Sequence, residues 1–148
     1  MSRENVELVT GLQPGPDADI AAFFREEASL PALREAVAHL IHPDFEAGTA
    51  TGLQASGLKA SYRGLDGLTE LWLDWLEPWE SYRTEIEDAI DLGDQVLLLV
   101  RDYGRRHGME SEVSLLGAAL WTIADGRIVR AVFYSDRAEA LEAVGLRE

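Results

Sequence analysis

Asp102 is the residue of this chain with the clearest prospect of chemistry. It interrupts VLLLVRDYGRRHG, residues 96–108, where five apolar residues run in from Val96 before the pair Arg101–Asp102. A carboxyl group near the end of a strand built for burial has two readings. It is a chemical centre able to hold or move a proton, or a solvated strand end beside Arg105 and Arg106. General acid–base chemistry also needs a second titratable group within hydrogen-bond reach. The stretch HPDFE supplies His42, Asp44 and Glu46; the two acids alternate with Phe45 and so share one face. Each has a structural reading too. His42, ahead of Pro43, suits a helix end whose last carbonyls it touches, and the acids suit a polar rim. Tyr62 and Tyr134 carry hydroxyls that orient a ligand or find a backbone partner. His107 lies in a turn and reads as surface. With no cysteine, and with His39, His42 and His107 lacking ligand spacing, no metal site and no cofactor are expected.

The bulk composition narrows the partners. Lys and Arg number 13 against 27 Asp and Glu, a net charge of −14. A nucleic-acid partner needs clustered basic residues that release counterions, and Arg105–Arg106 is the only short cluster, so nucleic acid is excluded. No apolar run approaches the roughly 18–20 residues that span a bilayer, so no membrane partner is expected. MSRENVELVT places acids where a signal peptide needs a bare apolar stretch, which predicts a cytoplasmic protein. A length of 148 residues suits one domain, 1–148, with one core.

The elements that must position these groups follow from periodicity. Val6, Val9 and Leu12 fall at helical spacing, and GLQPGPDAD breaks the helix. A second helix is predicted after Asp17 or Asp19, burying Ile20, Phe23 and Phe24. A third, capped by Ser29, carries Leu33, Val37, Leu40 and Ile41 and ends at His42–Pro43. Residues 45–59 read as a weak strand and a loop. LDGLTELWLDWLEPW is the clearest helix, capped by Asp66 and stopped by Pro78; Leu71, Trp72, Trp75 and Leu76 share a face that reads first as core filling.

From Ser81 the period becomes two, with Tyr82, Thr84, Ile86, Asp88 and Ile90 on one side. Strands over 95–104, 112–124 and 127–134 follow, the last two joined by a tight turn at Asp125–Gly126. DRAE at 136–139 opens a short helix. Helices followed by an antiparallel meander make an α+β protein whose sheet curls over its helices. In strand 112–123 the face Val113, Leu115, Gly117, Ala119, Trp121 and Ile123 has large ends and a small centre, as suits a concave cavity wall. Strand 95–104 divides into Val96, Leu98, Val100 and Asp102 against Leu97, Leu99, Arg101 and Tyr103.

The order of elements resembles the SnoaL-like group of the nuclear transport factor 2-like superfamily, relatives of polyketide cyclases, ketosteroid isomerases and limonene-epoxide hydrolases. ENVELV (4–9), HPDFE (42–46), YRGLDGL (62–68), DLGDQVLLLVRDYGRR (91–106) and ALWTIADGRIVRAVFYSDRAEALEAVGL (119–146) carry the resemblance. It implies a cone-shaped, curved antiparallel sheet wrapped around N-terminal helices, with an apolar pocket, a short C-terminal helix and a homodimer through the outer sheet face. Asp102 is similar in position to the aspartate that serves as general acid in the epoxide hydrolases. That implies an inward carboxyl among Leu98, Val100 and Leu115, raised in pKa and neutral near pH 7. The rest of the family's machinery is replaced. Val100 stands where those hydrolases carry an arginine, Phe133 where they and the cyclases carry a carboxylate, and Ala119 where many members carry a histidine. The isomerase base would fall near Thr49, and a shift of one or two residues brings Glu46 there.

The resulting expectation is a domain that binds a small, largely apolar, uncharged organic molecule. Its pocket would be lined by Val96, Leu98, Val100, Leu115, Gly117, Ala119, Trp121 and Phe133, with Tyr62 and Trp72 also against the ligand. The alternative is an epoxide hydrolase or a cyclase/isomerase of the same fold, with Asp102 as acid and Glu46, Asp44 or His42 as base.

Overall fold

The computed structural model describes residues 2–146. Its N-terminal helices are α1 (Ser2–Leu12), α2 (Ile20–Arg25) and α3 (Ser29–Val37). Asp19 caps α2, accepting from the amide of Ala22 at 3.2 Å. The same carboxylate oxygen accepts from the amide of Tyr82 at 3.1 Å, tying α2 to the sheet. The predicted Ser29 cap lies inside α3, which follows Ala28 and buries none of its residues. Phe23, expected in the core, is 39% exposed.

His42 and Pro43 do not end a helix. A short 3₁₀ turn at 38–40 leads into β1 (Ile41–Thr49), which contains both. Pro43 is tolerated because the pairing of β1 with its neighbour shifts register between Ile41 and Glu46, where no regular ladder needs the missing N–H. A single turn, α4 (Thr51–Gln54), and β2 (Ser61–Arg63) lead to α5 (Gly64–Leu76). Asp66 sits in the first turn of α5 and pairs with Arg34; Arg63 precedes the helix. Pro78 follows it, as expected, and β3 (Trp79–Asp91) begins at once.

Arg25 locks this junction, donating to the carbonyls of Leu76 at 3.1 Å and Glu80 at 3.0 Å, and to that of Trp79. Arg25→Ala is expected to cost about 1 kcal/mol in urea denaturation, and Arg25→Lys to recover only part of it, because an ammonium lacks the guanidinium's fork. Full recovery by lysine would contradict that role.

β4 (Gln95–Arg106), β5 (Val113–Ala124) and β6 (Arg127–Tyr134) complete a six-stranded sheet of order β2-β1-β6-β5-β4-β3. Its pairs are antiparallel except β1–β6, which is parallel. Asp125 and Gly126, at φ of 54° and 75°, make the primed turn between β5 and β6. The core fills the concave side, where Val9, Phe45, Leu71 and Trp121 are buried together against α1 and α5.

A bulge interrupts β3. Ile86 faces Val100 and Asp88 faces Leu99, so Glu87 is an extra residue and the alternation flips after it. Asp88 and Ile90 therefore leave the face of Tyr82 and Thr84, and Ala89 packs into the concave core instead. Ile90 packs on the convex side, where α6 (Arg137–Ala143) buries Ala140 and Leu141 against Leu97 and Ala118. Asp136 caps α6 through the amide of Ala138 at 2.9 Å, the cap read from DRAE. No helix among the described residues is long and apolar enough to cross a membrane.

Candidate functional site

Asp102 is not a strand end. β4 runs on to Arg106, and the register sets Asp102 between Thr84 of β3 and Leu115 of β5. Arg105 pairs with Glu80, and the guanidinium of Arg106 lies 4.6 Å from the ring centre of Trp79, so both arginines are engaged away from the carboxyl. The Asp102 carboxyl instead receives two hydroxyls, Tyr82 donating to one oxygen and Thr84 to the other.

Tyr82 is held by its neighbours. It is 1% exposed, with its ring centre 5.4 Å from that of Trp79 and 6.1 Å, edge to face, from that of Trp75. Gly104 lies opposite it on β4. A Cβ there would lie 2.5 Å from Trp79 Cε3 and 2.9 Å from Tyr82 Cδ1, so only glycine lets both rings lie on the strand.

Burial pushes the Asp102 carboxyl above the usual carboxylate range, opposed by the bonds from Thr84 and Tyr82 and by the charge of Arg137. Burial, and then the Asp102 charge, push the Tyr82 phenol far above its ordinary value, so it stays protonated. Arg137 acts from outside, donating to Glu87 at 2.6 Å and to the Val100 carbonyl at 2.7 Å.

Tyr82, Thr84 and Asp102 line a cavity of about 140 Å³ on the concave side. Leu98, Val100, Leu115, Gly117, Ala119, Phe133 and Trp72, all expected at the pocket, line it with Asp102. The other expected residues are elsewhere. Val96 is fully buried in the packed core, opposite Trp121. Trp121 lines a second apolar cavity of about 290 Å³, walled by α1, α2, α3 and α5, which meets the first at Gln13 and Trp72. Tyr62 lines neither; its hydroxyl donates to Asp74 at 2.8 Å and accepts from the Lys59 amide at 3.0 Å.

The candidate bases stay away from Asp102. Phe45, Ala47 and Thr49 are the buried side of β1, so Glu46 lies on the other face, between Arg63 of β2 and Arg130 of β6. His42 accepts the Asp44 amide at 2.9 Å and lines neither cavity, and Asp44 is exposed. Among the described lining residues Asp102 is the only charged one. Sequence reasoning missed Tyr82, Thr84 and Trp75 as its surroundings. Alternation had placed Tyr82 and Thr84 on one face, and only the β3–β4 register brings that face to Asp102. The arrangement can accept a ligand's donors, or hold and release one proton, without a second acid or base on its wall.

Known proteins share this architecture. TerC, crystallised with polyporic acid, is 20% identical with a TM-score of 0.67, over 95% of this chain and 98% of that one. A nuclear transport factor 2-like protein of unknown function from Burkholderia pseudomallei is 17% identical with a TM-score of 0.66, over 96% and 98%. A protein with a ketosteroid isomerase-like fold from Catenulispora acidiphila, in complex with trimethylamine, is 19% identical with a TM-score of 0.58, over 95% and 93%. At such identities the likeness establishes the fold. Among proteins of curated function none matches the chain in sequence. The model of the SnoaL-like domain matches residues 20–131, from α2 into β6, a span holding Tyr82, Thr84 and Asp102. The chain belongs to the SnoaL-like domain family.

Proposed function

We propose that this domain binds a small, largely apolar organic molecule in the Asp102 cavity. The observation that carries the reading is a concave apolar wall of Leu98, Val100, Ala119 and Phe133 closing on one carboxyl held by two hydroxyls. Sites of this kind combine apolar walls with a few fixed polar groups that orient the ligand. The volume is close to that of an engineered cavity of about 150 Å³ that takes benzene. Related folds are known with polyporic acid and with trimethylamine, which supports occupancy by organic molecules. The same reading takes residues 1–148 as one cytoplasmic domain that pairs with a second copy through the outer face, where Leu116 is 45% exposed.

The test is thermal denaturation with a panel of small aromatic and alicyclic compounds. A ligand at 100 times its Kd should stabilise by about 2.7 kcal/mol. Ala119→Leu, which fills the cavity, should abolish the shift; an unchanged shift in that variant sinks the reading.

The second reading is an enzyme with Asp102 as general acid, protonating an epoxide oxygen or a developing oxyanion. The raised carboxyl favours it. The described lining residues supply no base, so the binding reading leads. Turnover of epoxides or activated ketones by the native protein, lost in Asp102→Asn, would reverse that order.

A further inference from the structure

We infer that the ligand suited to this cavity is a cation, a protonated amine on an apolar body, seated with its ammonium against Asp102. The inference rests on the binding reading above and names the ligand class for the same site.

The hydroxyls of Tyr82 and Thr84 sit on the two carboxyl oxygens, so an ionised Asp102 has a donor ready for each of them. Among the described residues that line the cavity, none is a cation that would pair with that negative charge. The neighbouring arginines are engaged outside: Arg83 with Glu112, Arg101 with Glu87, Arg105 with Glu80, and Arg137 with Glu87 and the Val100 carbonyl. None of them lines the cavity. A charge in an apolar site is costly unless paired.

A neutral ligand that displaced water would deepen that cost, whereas an ammonium would cancel it. Specificity against neutral molecules thus comes from the empty half of an ion pair. The walls favour the same class. Trp72, Trp75, Tyr82, Phe133 and Tyr134 line the cavity, and aromatic faces attract ammonium groups. The net charge of −14 draws cations toward the protein and repels carboxylates and phosphates. Asp102 also fixes the orientation, since it is the only charged group on the wall among the described residues.

The experiment compares N,N-dimethylbenzylamine, a cation at neutral pH, with isobutylbenzene, its uncharged carbon isostere, by calorimetric titration. The amine is expected to bind the native protein at least tenfold more tightly. Asp102→Asn should lose at least tenfold for the amine while keeping isobutylbenzene affinity. Tyr82→Phe, which removes a donor but keeps the charge, should retain the preference for the amine. Equal binding of both probes by the native protein, or loss of the preference in Tyr82→Phe, overturns the charge assignment and leaves the binding reading standing. Binding of neither probe overturns both. The native comparison decides the matter even if Asp102→Asn fails to fold.

Discussion

Gly104→Ala is expected to lower the unfolding free energy by about 1–3 kcal/mol, although it adds a single methyl group to a strand that accepts side chains readily. The methyl would press on Cε3 and Cζ3 of the Trp79 ring and on Cδ1 of Tyr82. Neither ring has room to retreat. Trp79 and Tyr82 are both 1% exposed, and α2 closes over them with Ile20 and Ala21. Relief requires an off-rotamer ring or a displaced strand, and either moves the phenol that serves Asp102.

A double-mutant cycle with Trp79→Leu tests this account by urea denaturation. Leucine removes the ring atoms that the new methyl would meet. The combined cost should then fall short of the summed single costs by about 0.5–3 kcal/mol. Simple additivity would show that the methyl is accommodated elsewhere and that Gly104 does not set the ring positions.

Asp102→Ala should cost about 1–3 kcal/mol at neutral pH, because it strands the buried hydroxyls of Tyr82 and Thr84. Asp102→Asn keeps a carbonyl acceptor and removes the desolvated charge, so it should be the more stable of the two variants. The pH dependence has a definite sign. Burial raises the folded carboxyl above its unfolded value of about 3.9, so the native state holds the proton more tightly. The stability this brings is present in full below the unfolded pKa. It is lost as pH rises through the interval up to the folded pKa, and beyond that the deficit is constant. The native protein should therefore lose stability relative to Asp102→Asn as pH climbs from about 4 toward neutral. Paired urea titrations across that range measure the difference, and a flat or rising difference would remove burial as the controlling influence on Asp102.

The parts of the fold legible in the sequence are those governed by neighbouring residues. Alternation in β4 and β5 assigned the faces correctly, because a pleated strand turns every second side chain the same way. The Asp125–Gly126 turn and the Asp136 cap are local chemistry and stand as expected. Errors gathered where one residue changes the phase or where distant elements decide. Glu87 as an extra residue reverses the sides of Ile90 and Ala89, and nothing in YRTEIEDAI marks it. Pro43 read as a helix stop because its restriction on the preceding residue is equally met in an extended chain. Trp121 was expected at the Asp102 cavity, and its strand face was right. Which of two chambers that face meets depends on where α1, α2 and α5 lie, and periodicity carries no record of that.

The parallel pairing of β1 with β6 joins residues more than eighty positions apart in the chain. On the ribosome β1 emerges long before its partner, with β2 as its only neighbour in the sheet. Strand pairs that close such large loops form slowly, and an unpaired strand edge meanwhile invites association with other chains. Phe133, which completes the wall opposite Ala119, arrives with that same last strand. The nascent protein is thus most exposed to misassembly during the interval in which it has no finished chamber, and the chamber itself takes shape only in the final docking step.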